Sequence, residues 1–210
     1  QVGMISIPRD TKIKTEKGVV EKINAVNAIE GPEAACKAVG KLLHTEVDHY
    51  VVVNFNSFVN IVDILGGVDL YVDMDMFHAD TQTPELEIEL FEGQQHLDGK
   101  QALQYVRYRG GQTADIGRTQ RQQKFLKAMA DKMFNVGAVK KIPSLWSEVK
   151  NSVRTDLSVT DIGSLVKVAS TLQEAEIYSQ TVPGKAGWSG GASYWIADET
   201  VLPTLVSDVR

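Results

Sequence analysis

Cysteine is almost missing from this chain. Cys36 stands alone in 210 residues, which excludes an internal disulfide and any cysteine-rich metal site. It lies in PEAACKAVGKLL, where a small buried apolar role is expected of it. No apolar run approaches the roughly 20 residues of a membrane-spanning helix, and no signal peptide opens the chain. The first residue is Gln1 and the sequence runs straight into strand-like residues, which reads as a piece of a longer precursor. The four histidines, His44, His49, His78 and His96, are scattered, and no pair has the HExxH spacing of a zinc helix. Neither a GxSxG elbow nor a P-loop occurs. The GWSGG run at Gly187–Gly191 does not follow a strand and open a helix as a phosphate loop must, so it reads as a turn. Basic charge is also short: 22 Lys and Arg face 27 Asp and Glu, with a pI near 5.4, which argues against nucleic-acid binding.

That shortage makes one stretch stand out. Tyr105–Lys124, YVRYRGGQTADIGRTQRQQK, holds Arg107, Arg109, Arg118, Arg121 and Lys124 against the single acid Asp115. Five cations less one anion is plus four, in a chain of minus five, which leaves minus nine elsewhere. Guanidinium is a permanently charged planar fork that meets carboxylate or phosphate oxygens two at a time. From Ile116 onward Phe125, Leu126, Met129, Met133 and Phe134 recur at helical spacing, with Asp115 at the expected N-cap. Arg118, Arg121 and Gln122 then stand at i, i+3 and i+4 in the first turns, where unpaired N–H groups and the helix dipole favour an anion. If YVRYR is extended, Arg107 and Arg109 share one side, and Gly110-Gly111 can turn the two arginine pairs to face each other. The pattern points to an anion site.

A hydrophobic content of 43% supplies a core for one domain, or at most two small ones. Val2–Ile7 reads as a strand apolar enough to be paired on both sides, followed by Arg9-Asp10-Thr11 at its mouth, a usual place for ligand contacts. Lys22–Ala28 is irregular, and a helix with proline in its first turn runs from Pro32 to about His44. A buried strand is expected at His49–Phe55, a helix at Phe58–Leu65 closed by Gly66-Gly67, and an alternating strand at Val68–Met76. That alternation puts Asp69, Tyr71, Asp73 and Asp75 on one solvated side, with a spacing that fits no calcium loop. Residues 77–89 read as loop and Asp98–Tyr105 as helix. Helices are expected at Ser144–Val153 and Ser158–Leu172, the latter with a Ser158/Asp161 near capping box. Glu176–Val182 is a strand, Pro183–Ala192 a glycine-rich loop, Tyr194–Ile196 a short strand, and a last helix starts near Asp198. This order of strands and helices, without repeats, predicts an α/β fold: a single-domain α/β/α sandwich with a central mixed sheet flanked by helices.

SIPRDT at Ser6–Thr11, KINA at Lys22–Ala25, FNSFVNIVDILGGVDLYV, EGQQHLDGKQALQYVRYR and DIGRTQRQQ occur in this order, with a VPG…SYW…D tail. Together they resemble the LytR-CpsA-Psr family over nearly the whole chain, residues 1–210. The resemblance implies an extracytoplasmic phosphotransferase, membrane-anchored in its full length through a segment not in this chain. Its substrate would be a glycopolymer of wall teichoic acid or capsular polysaccharide type on a polyprenyl (undecaprenyl) pyrophosphate carrier, and its acceptor peptidoglycan. Arg9, Arg107, Arg109, Arg118, Gln122 and Arg121 would bind the pyrophosphate, with Arg118 also taking a catalytic part. Asp115 would orient an arginine, act as base for the attacking hydroxyl, or cap the helix. Family domains begin with an extra strand bearing acids for a divalent cation, Mg²⁺ or Mn²⁺. This chain starts after that point and keeps Asp10 as a possible ligand, the others lying upstream. Two further readings share the arginines: a non-catalytic polyprenyl-pyrophosphate binder or scaffold, and a pyrophosphatase. A nucleic-acid module is disfavoured by the pI.

Overall fold

The structure is a computed structural model that describes residues 2–79, 87–110, 114–135, 146, 150, 153–158, 160–165 and 177–208. In chain order the strands are β1 (Val2–Ser6), β2 (Lys12–Lys14), β3 (Val20–Lys22), β4 (Val51–Val53), β5 (Val68–Val72), β6 (Met76–His78), β7 (Ile88–Leu90), β8 (Gly93–Leu97), β9 (Val153–Thr155), β10 (Ile177–Thr181), β11 (Gly184–Ser189) and β12 (Ala192–Ala197). Between them lie the helices α1 (Ile23–Glu30), α2 (Pro32–Leu43), α3 (Phe55–Ile64), α4 (Gly99–Arg107) and α5 (Ala114–Asn135), and a C-terminal helix covers Leu202–Asp208. The fold is mixed α/β, with both parallel and antiparallel strand pairs. Residue contacts divide it into two compact units. The first comprises Gln1–Val52, Thr155–Leu157 and Ala175–Arg210; the second comprises Val53–Arg154 and Ser158–Glu174.

In the first unit β1 pairs in parallel with β10, from Val2 opposite Ile177 to Ser6 opposite Thr181. Their joint end is fixed by the Val182 N–H donating to the Ser6 carbonyl at 2.9 Å. Leu43, Val182, Leu202 and Leu205 form a buried cluster, and Ile13, Ile23 and Val26 form another under α1 and α2. Each such side chain stabilises by roughly 1.5–3 kcal/mol when fully buried. The segment expected to be irregular, Lys22–Ala28, is the helix α1. Lys22 at its N-cap makes no side-chain capping bond, so packing of Ile23 and Val26 holds the helix rather than a local cap. The expected glycine-rich loop at Pro183–Ala192 is instead the hairpin of β11 and β12, closed by Gly190 and Gly191, whose φ of 58° and 80° suit glycine. Cys36 is half-buried rather than buried, and burial, then Asp156 and Glu33, raise its thiol pKa.

The second unit has one large core. Val68, Leu70 and Val72 point inward from β5 while Asp69 and Tyr71 point out, the expected alternation. β5 pairs antiparallel with β8, and it ends at Val72, so Asp73 and Asp75 lie beyond it. Residues 77–89 are not all loop: β6 and β7 pair there, with Met76, Ile88 and Leu90 buried. The buried strand expected at His49–Phe55 shortens to Val51–Val53, because Asn54 caps α3 by accepting the Ser57 N–H at 2.8 Å, and it is not buried: Val51 and Val53 are exposed. Asp98 caps α4 through a full capping box with Gln101. α3 and α4 pack so closely that a Cβ on Gly99 would overlap the Val59 carbonyl. Ser158 and Asp161 make the expected reciprocal cap ahead of helical residues 160–165. Most of the two helices expected at Ser144–Val153 and Ser158–Leu172 lies outside the described residues, and Val153 belongs to β9. The last helix begins at Leu202 rather than near Asp198.

Candidate anion site

The first unit positions Arg9 by its backbone. Thr11, fully buried, donates both its N–H (2.9 Å) and its hydroxyl (2.6 Å) to the Pro8 carbonyl, closing a turn over Arg9-Asp10. The Arg9 carbonyl accepts the Asn24 N–H at 3.2 Å, and the Asp10 carbonyl accepts the Trp195 N–H at 2.9 Å. So the SIPRDT and KINA motifs are one structural piece, and Asn24 and Trp195 are partners that sequence reading missed. Asp10 Oδ1 lies 3.1 Å from Lys22 Nζ and 3.8 Å from Arg9 Nε. Its charge is therefore already opposed. Among the described residues no group of three or more His, Cys, Asp or Glu could hold a metal ion. Among the described residues Asp10 by itself does not make a Mg²⁺ or Mn²⁺ site.

The second unit holds the remaining arginines. Arg107 is the last residue of α4, and Tyr108 leaves the helix with φ −54° and ψ 133°. YVRYR is thus not a strand: Tyr105–Arg107 is helical and Arg109 follows one extended residue. The Tyr108 N–H still donates to the Gln104 carbonyl at 3.0 Å, which ends the helix cleanly. Arg107 sits with its guanidinium 5.0 Å from the Phe55 ring, half-buried, at the helix end where the dipole favours a cation. Arg109 is exposed. A Cβ on Gly110 would collide with the Tyr108 ring, so glycine there lets that ring fold back. Gly111 lies outside the described residues.

α5 supplies the other half. It begins at Ala114, so Asp115 stands inside the first turn and not at the N-cap; its side chain lies outside the described residues. Arg118 is half-buried and Gln122 exposed, one turn or about 5.4 Å further along. Phe125 and Met129 are buried below them, and Leu126 is half-exposed, so the apolar stripe is narrower than its spacing suggested; the Met133 and Phe134 side chains lie outside the described residues. Gln122 Nε2 donates to the Val106 carbonyl at 3.3 Å. Arg121 is 7% exposed, and its Nη2 donates to the Tyr108 carbonyl at 2.6 Å with the guanidinium 5.3 Å from the Tyr108 ring. Burial lowers its pKa, against the opposing pull of Tyr105, Tyr108 and Asp73, yet a guanidinium stays charged. Lys124 Nζ reaches the Tyr71 carbonyl (2.7 Å) and Asp73 Oδ1 (2.6 Å), pinning α5 to β5. Tyr105 is fully buried, and its hydroxyl has no hydrogen-bond partner among the described residues. Burial first, then Asp73, push its pKa well above the ordinary phenol value, while Arg121 pulls it down.

Four of the predicted residues, Arg107, Arg109, Arg118 and Gln122, therefore flank the point where α4 ends and α5 begins, and Arg121 lies beneath it. Arg9 and Asp10 belong to the other unit. Among the described residues no helix is long and apolar enough to cross a membrane.

The chain is 29% identical over 205 residues to polyisoprenyl-teichoic acid–peptidoglycan teichoic acid transferase TagV of Bacillus subtilis, covering 95% of this chain and 52% of that protein. It is 31% identical over 212 residues to TagU of the same organism, a transferase of the same description, covering 99% of this chain and 66% of that protein. The chain thus spans between about half and two thirds of these relatives. The crystal structure of B. subtilis TagV superposes with a TM-score of 0.82 at 27% identity, covering 98% of this chain and 80% of that one. The structure of TagT bound to LI-WTA superposes with a TM-score of 0.78 at 26% identity, covering 99% and 78%. The LytR_cpsA_psr family model matches residues 1–208, and the chain belongs to that family.

Proposed function

We propose that the arginine corner between α4 and α5 binds the pyrophosphate of a polyprenyl-linked glycopolymer, and that the chain transfers the glycopolymer to peptidoglycan, outside the cytoplasmic membrane where peptidoglycan lies. The observation that carries this reading is the pair of bonds from Arg121 and Gln122 to the Tyr108 and Val106 carbonyls. They bring the α4 exit, with Arg107 and Arg109, onto the turns of α5 that carry Arg118 and Gln122. A pyrophosphate holds charge on several non-bridging oxygens at once, and planar guanidinium donors from two directions suit it. The transferase names of TagV and TagU, and TagT bound to LI-WTA, support a teichoic-acid-type cargo.

In the proposed reaction a sugar hydroxyl of peptidoglycan attacks the phosphorus that carries the glycopolymer. The bond from that phosphorus to the bridging oxygen breaks, a phosphodiester forms, and the carrier leaves as polyprenyl monophosphate. The arginines offset charge that moves onto the leaving oxygen, the largest single contribution in phosphoryl transfer of this kind. The hydroxyl proton goes to a base, the role proposed for Asp115 in the first turn of α5. The test is transfer and lipid binding in Asp115→Asn. Loss of transfer with binding retained supports the base, and unimpaired turnover removes it. Wild-type binding without any transfer would favour a non-catalytic binder, and release of monophosphate to water alone a pyrophosphatase.

A further inference from the structure

We infer that Arg121 is a positioning residue for this site and not a ligand of the anion. The inference rests on the proposed pyrophosphate reading. Read from sequence, Arg121 is one more member of the basic face of α5. The structure separates it from its neighbours: at 7% exposure it lies within the fold, whereas Gln122 is exposed and Arg118 half-buried. Its short bond goes to the carbonyl of Tyr108, the residue between Arg107 and Arg109 in the chain. Its guanidinium lies 5.3 Å from the centroid of the Tyr108 ring, which folds back over Gly110. Gly117, one turn earlier on α5, leaves space that a Cβ would narrow to 3.3 Å from Arg121 Nη1. The guanidinium is thus clamped between Tyr108 and its own helix.

The Tyr108 position needs such a clamp. The chain leaves the helix there, so the Tyr108 carbonyl has no helical partner of its own, and an arginine is long enough to reach it across from α5. Fixing that carbonyl fixes the peptide that joins Tyr108 to Arg109 and the helix end that carries Arg107. A neutral carbonyl accepts the bond without cancelling the charge of Arg121, so the buried cation also adds to the positive potential beneath the site. Arg121 Nε is buried with no hydrogen-bond partner among the described residues, which shows that the fork is oriented for Tyr108 at the expense of a full complement of bonds.

The experiment measures binding of undecaprenyl pyrophosphate in detergent micelles to the 210-residue chain, for the wild type, Arg109→Ala, Arg121→Met and the double variant. Circular dichroism sets a temperature at which each is fully folded. Arg121→Met is expected to weaken binding about tenfold, comparable to Arg109→Ala, and the double variant to bind far more tightly than the product of the two losses, because both act through one contact. Arg121→Lys keeps the charge and one donor in reach of Tyr108; it should regain part of the affinity, and it carries the same comparison with Arg109→Ala if Arg121→Met does not fold. Losses that multiply would make Arg121 an independent ligand and overturn the inference. Wild-type affinity in folded Arg121→Met would overturn it as well. Should Arg109→Ala bind as the wild type does, the pyrophosphate reading itself fails, an outcome distinct from failure at Arg121 alone.

Discussion

The two units satisfy several of their cations with different acceptors. In the first, Lys22 and Arg9 close on the carboxylate of Asp10, and Lys17 and Lys37 close on Glu30 and Glu16. Charge meets charge there. In the second, Arg121 and Lys132 donate to main-chain carbonyls, and Lys124 divides its donors between the Tyr71 carbonyl and Asp73. A carbonyl satisfies a donor without neutralising it. Acceptor type thus differs between these cations: carboxylates in the first unit, and main-chain carbonyls for Arg121 and Lys132 in the second.

Breaking the corner should give the largest effect. Arg118→Ala removes one charge-assisted contact to the developing charge, so transfer should fall by roughly 2–4 kcal/mol in activation free energy. Thermal melting should barely move, because the side chain is half-buried at the helix surface. Steady-state transfer beside a melting curve checks both. Next in size is a change in the scaffold under the corner. Gly99→Ala pushes a Cβ into the Val59 carbonyl, and overpacking of this kind costs about 1–3 kcal/mol, read as a lower Tm.

Tyr105→Phe should act in the other direction. It removes a buried hydroxyl without a partner among the described residues, a gain of about 1 kcal/mol if the ring stays in place. The sign of the pH effect follows from its raised pKa. The folded state keeps the proton longer than the unfolded state, so its stability is complete below the ordinary phenol pKa near 10 and is lost as the pH rises beyond it. The Phe variant should therefore lose less stability between about pH 10 and 11 in denaturant titrations. The smallest effect belongs to the first unit. Asp156 accepts the Tyr50 N–H and meets His49 Nδ1, and its pKa is lowered first by that backbone bond. Such a carboxylate stabilises above its ordinary pKa of 3.8, and the contribution disappears as the pH falls below it through the folded value. Asp156→Asn should flatten the acid limb of a Tm-against-pH curve slightly; an unchanged limb would show that the pair contributes nothing.

Much of the second unit was readable from sequence because its signals are local. The charge imbalance of Tyr105–Lys124, the alternation of β5 and the Ser158/Asp161 cap each lie within a few residues. Features that depend on distant partners were hidden. KINAVNA has no cap of its own and becomes α1 through contacts with Ile13 and α2. GWSGG does turn, at Gly190-Gly191, but Gly187–Ser189 belong to β11, and six cross-strand pairs run from Gly184 opposite Ala197 to Ser189 opposite Ala192. Helical spacing put Arg118, Arg121 and Gln122 on one face and could not tell which of them is covered. The Tyr108 carbonyl, which separates Arg121 from the others, has no signature in the sequence at all.

The central claim is that the corner between α4 and α5 holds a lipid pyrophosphate. Its most direct test is the affinity of undecaprenyl pyrophosphate for the chain with Arg107 and Arg109 both changed to Ala, measured against the folded wild type. Two charge-assisted contacts are lost, and binding should weaken by roughly a hundredfold or more. Equal affinity in the folded double variant would contradict the account.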